Sequence, residues 1–241
     1  MSRTGETLMA MYEAMRARFG HRGWWPSAAA TDVETAEGKP VDPATLPAEG
    51  RLEIAVGAIL TQNTNWINVE KAIRNLRQAD CMSVGALYAK PQAEIAGLIR
   101  PAGYYNVKAK RLKNFIARVH EGFGDDVEAF LDRSVSTLRE ELLSINGIGR
   151  ETADSIILYA AGKPSFVVDA YTVRIGVRHG LLSPEDDYEA VKELFESSLP
   201  QGVDLWKDYH AQLVETGKRY CRPQARCEGC PLEHFPHDVD V

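Results

Sequence analysis

Helical spacing of apolar residues runs through nearly the whole of this 241-residue chain. Apolar side chains recur three and four residues apart, which places them on one face of an α-helix. Only Phe166-Val167-Val168 resembles a strand, and that run is too short to require a sheet. The sequence therefore predicts an all-α fold. The clearest stripes are Leu52/Ala55/Val56/Ile59/Leu60, Trp66/Val69/Ile73/Leu76, Leu112/Phe115/Ile116/Val119 and Ala153/Ile156/Ile157/Ala160/Ala161.

Composition and charge narrow the possible locations and partners. The chain has no run of eighteen or more apolar residues, and residues 1–6 lack the apolar segment of a signal peptide. We therefore expect no membrane partner and a cytoplasmic location. The net charge of −6 argues against a protein that coats DNA non-specifically, because such binding needs many Lys and Arg side chains. A compact DNA-binding face remains compatible with that charge.

A glycine hairpin and a later aspartate are the strongest functional signals. Gly147-Ile148-Gly149 separates two helical patterns, and both glycines permit positive φ and close approach of another backbone. Ile148 can pack inward, while N–H groups at the start of the second helix form a site for a phosphate. An ordinary αα-hairpin would show the same short motif. Asp169 follows this motif, and it is either the N-cap of a helix that begins at Ala170 or a catalytic carboxylate.

Residues 142–174 resemble the helix-hairpin-helix and Gly/Pro…Asp signature of the endonuclease III-like (HhH-GPD) superfamily of DNA glycosylases. The segments 58–64 and 99–110 resemble two further elements of that family. The resemblance implies a two-lobed helical fold in which a target nucleotide is flipped into the cleft, since a stacked base cannot be reached. The predicted division is 1–50 as an N-terminal segment of the terminal lobe, 51–166 as a six-helix lobe with the hairpin motif at about 140–163, and 167–241 as the rest of the terminal lobe.

The resemblance also implies roles for single residues. Asp169 matches the family's catalytic aspartate, whose carboxylate can stabilise positive charge on the sugar and orient a water molecule. Gln62 matches the residue that fills the gap left by a flipped base, although a cap at a helix end is the alternative. The predicted DNA-binding residues are Gln62, Gly147, Ile148, Gly149, Arg150 and Thr152.

Glu151 differs from the residue that one branch of the family has at this position. Members that also cut the DNA backbone carry a lysine two residues after the second glycine, where its amine forms a Schiff base with the sugar. A carboxylate cannot form an imine, so Glu151 predicts a monofunctional glycosylase without AP lyase activity. Glu151 itself either contacts the target base or is solvated.

Tryptophans suggest the class of base. Trp24, Trp25 and Trp66, together with Glu151, are the predicted base pocket, because aromatic faces stack on purines and favour a cationic base. Alkylated purines such as 3-methyladenine carry that charge. Within the superfamily these residues most resemble the 3-methyladenine DNA glycosylases of endonuclease III type. The alternative is that the tryptophans belong to the core.

Three cysteines near the C-terminus suggest a metal centre. Cys221, Cys227 and Cys230 form C-x5-C-x2-C, whereas Cys81 stands alone and is expected to be buried. The family resemblance implies a [4Fe–4S] cluster in a C-terminal cysteine loop, while zinc or no metal are the alternatives. A fourth cysteine is absent, and His234 and His237 are the candidates for its place.

The favoured function is a base-excision-repair DNA glycosylase that hydrolyses the N-glycosidic bond of a flipped damaged base, most readily an alkylated purine. The expected partner is double-stranded DNA with a damaged base, bound by a monomer that associates with the nucleoid. One alternative is a bifunctional endonuclease III-like glycosylase and AP lyase for oxidised pyrimidines, which the cysteines favour. Another is a non-catalytic helix-hairpin-helix module that binds DNA.

Overall fold

The computed structural model describes residues 2–23, 25 and 46–240, and every regular element in that part of the chain is helical. The predicted all-α fold is thus confirmed. The helices are α1 (Arg3–Phe19), α2 (Ala48–Leu60), α3 (Trp66–Gln78), α4 (Val84–Ala89), α5 (Gln92–Leu98), α6 (Tyr105–Phe123), α7 (Val127–Leu131), α8 (Val135–Ser144), α9 (Arg150–Ser155), α10 (Ala170–Arg178), α11 (Tyr188–Ser198) and α12 (Val203–Arg219). Arg100–Ala102 forms a 3₁₀ turn, and α9 continues as a π-helix over Ile156–Ala160.

The helices fall into two compact units. Among the described residues, the terminal unit comprises 2–23 and 164–240, and the hairpin unit comprises Trp25 and 46–163. None of the helices in these ranges is both long enough and apolar enough to cross a membrane. Three prolines and two glycines predict a surface loop over residues 27–50, most of which lie outside the described residues. The last part of this stretch is helical, because α2 begins at Ala48.

The hairpin unit is built around α2. Every residue of α2 from Gly50 to Leu60 is buried, including the charged residues Arg51 and Glu53. It packs against α3, α6, α7 and the π-helix. Its buried Arg51 stays satisfied because it donates to the Ala160 carbonyl at 3.0 Å and to the Asp132 carboxylate at 2.7 Å.

A buried lysine fixes the start of α6. Lys108 is 1% exposed, and its ammonium donates to the carbonyls of Leu60 and Ala102, each at 2.8 Å. These two bonds join the end of α2 to the turn that precedes α6. Burial, together with the charge of Arg111, lowers the pKa of Lys108 to about 8.

The terminal unit is built around α12, which packs against α1 and α10. Asp208 on α12 is buried and accepts a hydrogen bond from the Tyr12 hydroxyl at 2.9 Å. Tyr209 donates to the Leu8 carbonyl at 2.8 Å, which fixes α1 to the same helix. Phe166, from the strand-like run, lies outside any regular element and stacks on Phe195 with ring centroids 4.4 Å apart.

Candidate functional site

The hairpin between α8 and α9 depends on Gly147. Its φ is +100°, a conformation that L side chains rarely adopt, and a Cβ there would lie 2.3 Å from Cγ of Arg111. Ile148 is only 5% exposed, in agreement with the expected inward packing. Its N–H donates to the Ile145 carbonyl at 3.0 Å and closes the turn. Glycine at 147 is therefore required by both backbone conformation and space.

Gly149 does not use the positive φ that glycine permits. It is the N-cap of α9 with φ −91° and ψ 176°, an ordinary extended conformation. A Cβ on Gly149 would meet no atom within 4 Å. Without a side chain, Gly149 leaves the first N–H groups of α9 without the cap that Ser or Asp would supply, and such groups attract anions.

Gln62 connects the α2–α3 loop to the hairpin. Its Nε2 donates to the Gly147 carbonyl at 3.1 Å and to Oγ1 of Thr152 at 2.9 Å. Its Oε1 accepts a hydrogen bond from Arg111, which also packs against Gly147. Three residues predicted to bind DNA, Gln62, Gly147 and Thr152, therefore meet in one network, and Arg111 joins it. Arg150, the remaining predicted contact on α9, is exposed.

An ion pair joins the two helices of the hairpin motif. Asp154 on α9 is 0% exposed, and its two carboxylate oxygens accept from Arg139 on α8 at 2.9 and 3.2 Å. This bidentate arrangement fixes orientation as well as distance. The spacing of fifteen residues across a hairpin carries no sequence signal, so this pair was not predicted.

Three aromatic rings form a cluster in the hairpin unit. Trp25 packs edge-on against Trp66 and at a tilt against Tyr159, with ring centroids 5.2 Å apart in both pairs. Trp25 and Trp66 are partly exposed, whereas Tyr159 is buried. Trp66 is also held by a hydrogen bond from its Nε1 to Glu70 at 2.8 Å. Trp24, the other predicted pocket tryptophan, lies outside the described residues.

Glu151 occupies the first turn of α9 and is exposed. Two lysines of the same unit are engaged elsewhere. Lys108 is buried against two carbonyls, and Lys163 donates to the Leu131 carbonyl beside Asp132. Lys163 is 22% exposed and thus only partly on the surface. Burial lowers the pKa of Lys163, while the Asp132 carboxylate opposes that change.

Asp169 in the terminal unit is both a helix cap and a buried acid. Its Oδ1 accepts from the backbone N–H of Thr172 at 2.7 Å and from the Thr172 hydroxyl at 2.9 Å, which confirms the N-cap at the start of α10. Its Oδ2 lies 3.5 Å from Nε2 of His210, and its side chain is 12% exposed. Burial favours the protonated acid, but His210 and Thr172 outweigh it and hold the pKa of Asp169 below the usual value. The carboxylate is therefore ionised at neutral pH.

The three C-terminal cysteines share a cavity in the terminal unit that is open at its mouth. Its wall also includes His179 and His237, while His234 is not part of it. The pKa of Cys230 is raised by burial and further by the nearby Cys227 and Cys221 thiols, so the sulfurs are close enough to interact. Within the described ranges, no three His, Cys, Asp or Glu side chains converge on a single metal ion. Cys81 is buried, as expected.

Comparisons with known proteins agree with this arrangement. Protein MJ1434 of Methanocaldococcus jannaschii, provisionally named a DNA repair glycosylase, is 43% identical over 95% of this chain and 96% of its own length. The structure of the H. pylori 3-methyladenine DNA glycosylase MagIII bound to 1,N6-ethenoadenine has a TM-score of 0.69 and 26% identity, over 90% of this chain and 97% of the other. A non-covalent endonuclease III–DNA complex has a TM-score of 0.74 and 20% identity, over 98% and 96%, and so shows the shared fold alone.

The sequence profile of the HhH-GPD superfamily base excision DNA repair proteins matches residues 56–201. That range contains both the glycine hairpin and Asp169, the two features that carry the family signature. The match covers more than half of the chain, and the MJ1434 relative extends the similarity to nearly all of it. The chain therefore belongs to the endonuclease III-like HhH-GPD superfamily of base excision DNA repair proteins.

Proposed function

We propose that this DNA glycosylase is monofunctional and hydrolyses the bond between a flipped damaged base and its sugar. The observation that carries the proposal is the state of Asp169, which is nearly buried yet ionised. Such a carboxylate is suited to stabilise positive charge that develops on the sugar as the base departs. Glu151 supports the monofunctional assignment, because an acid at the lysine position provides no amine for a Schiff base.

Asp169 would work from a fixed position. Oδ1 is held by two hydrogen bonds from Thr172, so the carboxylate cannot rotate without losing the cap of α10. Oδ2 makes no bond to Thr172 and lies 3.5 Å from His210. In this proposal that oxygen faces the reacting sugar and orients the attacking water. A preorganised acceptor loses little energy in reorganisation during the reaction.

In the same proposal the hairpin holds the DNA backbone. A phosphate approaches the N–H groups at the start of α9, where Gly149 leaves open space. Gln62 keeps the hairpin in this conformation through the Gly147 carbonyl and Thr152. To fill the gap left by a flipped base, the Gln62 side chain would have to exchange these bonds for contacts with the orphaned partner base.

The proposed substrates are alkylated purines. The Trp25, Trp66 and Tyr159 cluster supports this class, because aromatic rings favour a cationic base and two of these rings are partly exposed. Glu151, in the same unit, adds a negative charge that favours such a base. The similar MagIII protein is by its name a 3-methyladenine DNA glycosylase. Oxidised pyrimidines are the second candidate, which the cysteine loop favours through its resemblance to endonuclease III.

We further propose a [4Fe–4S] cluster in the cavity of the terminal unit. Cys221, Cys227 and Cys230 line the cavity and supply three thiolates, the usual ligands of such clusters. The bound cluster would be structural and would fix the loop that carries the exposed Arg222 and Arg226, whose charges suit DNA phosphates.

A panel of duplexes, each with one damaged base, tests the reaction and the substrate class together. Base release and strand cleavage are scored separately, and borohydride is added to trap any imine. We expect release of alkylated purines, intact strands until the abasic site is cleaved chemically, and no trapped complex. Efficient trapping would refute the monofunctional assignment, and release of oxidised pyrimidines alone would refute the substrate class. Binding without release from any duplex would favour the non-catalytic module.

A further inference from the structure

The three cysteines of the cavity leave one position of a four-iron cluster without a thiolate. Each iron in such a cluster takes one ligand from the protein. Cys221, Cys227 and Cys230 supply three, and the only other cysteine, Cys81, is buried in the hairpin unit. A fourth protein ligand would therefore be another donor on the cavity wall. Two imidazoles lie there, those of His179 and His237, with ring centroids 5.5 Å apart.

His237 has the environment of a metal-binding histidine. Its Nδ1 lies 2.8 Å from the Phe235 carbonyl oxygen. A carbonyl only accepts hydrogen bonds, so Nδ1 carries the proton and Nε2 keeps its lone pair. Histidines that bind metals usually donate their second N–H to a backbone carbonyl in this way. His234 does not line the cavity, and its ring packs against Phe235 with a centroid distance of 4.2 Å.

The backbone around His237 is fixed to the cavity wall. The N–H of Asp238 donates to the Arg178 carbonyl at 2.7 Å, so the residue after His237 is anchored to the end of α10. The Arg178 guanidinium donates to Sγ of Cys221 at 3.3 Å and to the carbonyls of Arg222 and Pro223 at 2.7 and 2.8 Å. One buried arginine thus connects the first cysteine to the segment that carries His237. His237 follows Cys230 by seven residues on this same segment, whereas His179 is the C-cap of α10.

We propose that His237 is the fourth protein ligand of a [4Fe–4S] cluster, through Nε2, with its Nδ1–H donating to the Phe235 carbonyl. This assignment rests on the proposed cluster but not on the proposed glycosylase reaction. His179 would then be a neighbour of the cluster, held by its own bond from Nδ1 to the Pro236 carbonyl at 2.9 Å. A neutral imidazole in place of a thiolate removes one negative charge from the cluster site. The reduction potential is therefore expected to lie above that of a four-cysteine site.

Iron and sulfide content and electron paramagnetic resonance of the full-length chain, purified without oxygen, test the assignment. The wild-type protein is expected to hold about four irons. After one-electron oxidation with ferricyanide, His237→Ala should lose one iron as Fe²⁺ and yield a three-iron cluster with the near-isotropic signal of its oxidised form, while His234→Ala and His179→Ala keep about four irons. His237→Cys should restore the four-iron cluster at a lower reduction potential, which separates loss of a ligand from failure to fold.

Each alternative result contradicts a specific part of the proposal. A wild-type protein without iron and sulfide, or with one zinc ion, would overturn the cluster itself. A four-iron cluster that survives His237→Ala unchanged would leave the cluster in place and overturn the ligand assignment. Conversion to three irons by His179→Ala or His234→Ala instead of His237→Ala would give the role to another histidine.

Discussion

Substitution by alanine should leave the stability of the protein nearly unchanged at Gly149 but lower it at Gly147. At Gly149 the backbone conformation is open to any residue and a methyl group meets no atom within 4 Å. Alanine is a poorer N-cap than glycine by up to about 1 kcal/mol, but it also lowers the entropy of the unfolded chain by about 0.4–1 kcal/mol. These effects nearly cancel. Gly149→Ala should therefore change the free energy of unfolding by no more than about 0.5 kcal/mol.

At Gly147 both the backbone conformation and the lack of space disfavour alanine. A φ of +100° costs an L residue roughly 1–2 kcal/mol, and the methyl group would lie 2.3 Å from Cγ of Arg111. Arg111 must then move and lose its hydrogen bond to Gln62, which adds about 1 kcal/mol. Gly147→Ala should therefore lower the free energy of unfolding by roughly 2–3 kcal/mol. Urea denaturation followed by circular dichroism measures both variants.

Gly149→Ala should also weaken the binding of DNA. The methyl group of Gly149→Ala would occupy the space through which a phosphate reaches the N–H groups of α9. Loss of one hydrogen bond to a charged group is worth about 1.5–3 kcal/mol, or roughly 10- to 150-fold in affinity. Fluorescence anisotropy on an abasic duplex at fixed salt measures this change, and Gly97→Ala, an exposed site on α5 with nothing within 4 Å, is the matched control. A folded Gly149→Ala variant with wild-type affinity would refute the hairpin as the phosphate site.

Three further variants test single residues. Glu151→Lys should place an amine at the position that forms the imine, so a borohydride-trapped complex and strand cleavage should appear, whereas Glu151→Gln should give neither. His210→Leu removes an interaction that opposes the effect of burial, so the pKa of Asp169 should rise. The carboxylate works only when it is ionised, so the pH below which single-turnover base release slows should be higher in this variant than in the wild type. An unchanged pH profile would exclude His210 as a positioning residue. Asp154→Ala removes the carboxylate that binds Arg139 through two hydrogen bonds and should cost about 3 kcal/mol in urea denaturation, but less when Arg139→Met is combined with it; equal losses would contradict a coupled pair.

Local pattern predicted the elements of this fold better than the contacts between them. The apolar stripes identified the helices, and the Gly147-Ile148-Gly149 motif located the hairpin, because both signals depend on neighbouring residues. The same motif did not reveal that Gly149 has an ordinary φ, since a glycine is compatible with either conformation. The position of Asp169 before Ala170 predicted its N-cap role for the same local reason.

The sequence did not predict contacts between residues that are far apart along the chain. His210 lies on α12, far along the chain from Asp169, and the packing of α10 against α12 determines that they meet. Nothing in the sequence around Lys108 indicates that its ammonium joins two backbone carbonyls inside the core. Tyr159 lay within a helical stripe that did not show which rings it would contact. Tertiary packing determines which distant residues meet, whereas the periodicity of apolar residues shows only which face of a helix is buried.

The most direct test of the central claim is single-turnover base release from a duplex with an alkylated purine by Asp169→Asn. Asparagine keeps the N-cap of α10 but removes the negative charge. The matched control is Asp187→Asn, since Asp187 caps α11 through a 2.9 Å bond from the N–H of Ala190. We expect Asp169→Asn to slow release by at least about 10²-fold with DNA affinity retained, and Asp187→Asn to release the base at the wild-type rate. Release by Asp169→Asn at a rate close to wild type would contradict the claim that this carboxylate drives hydrolysis.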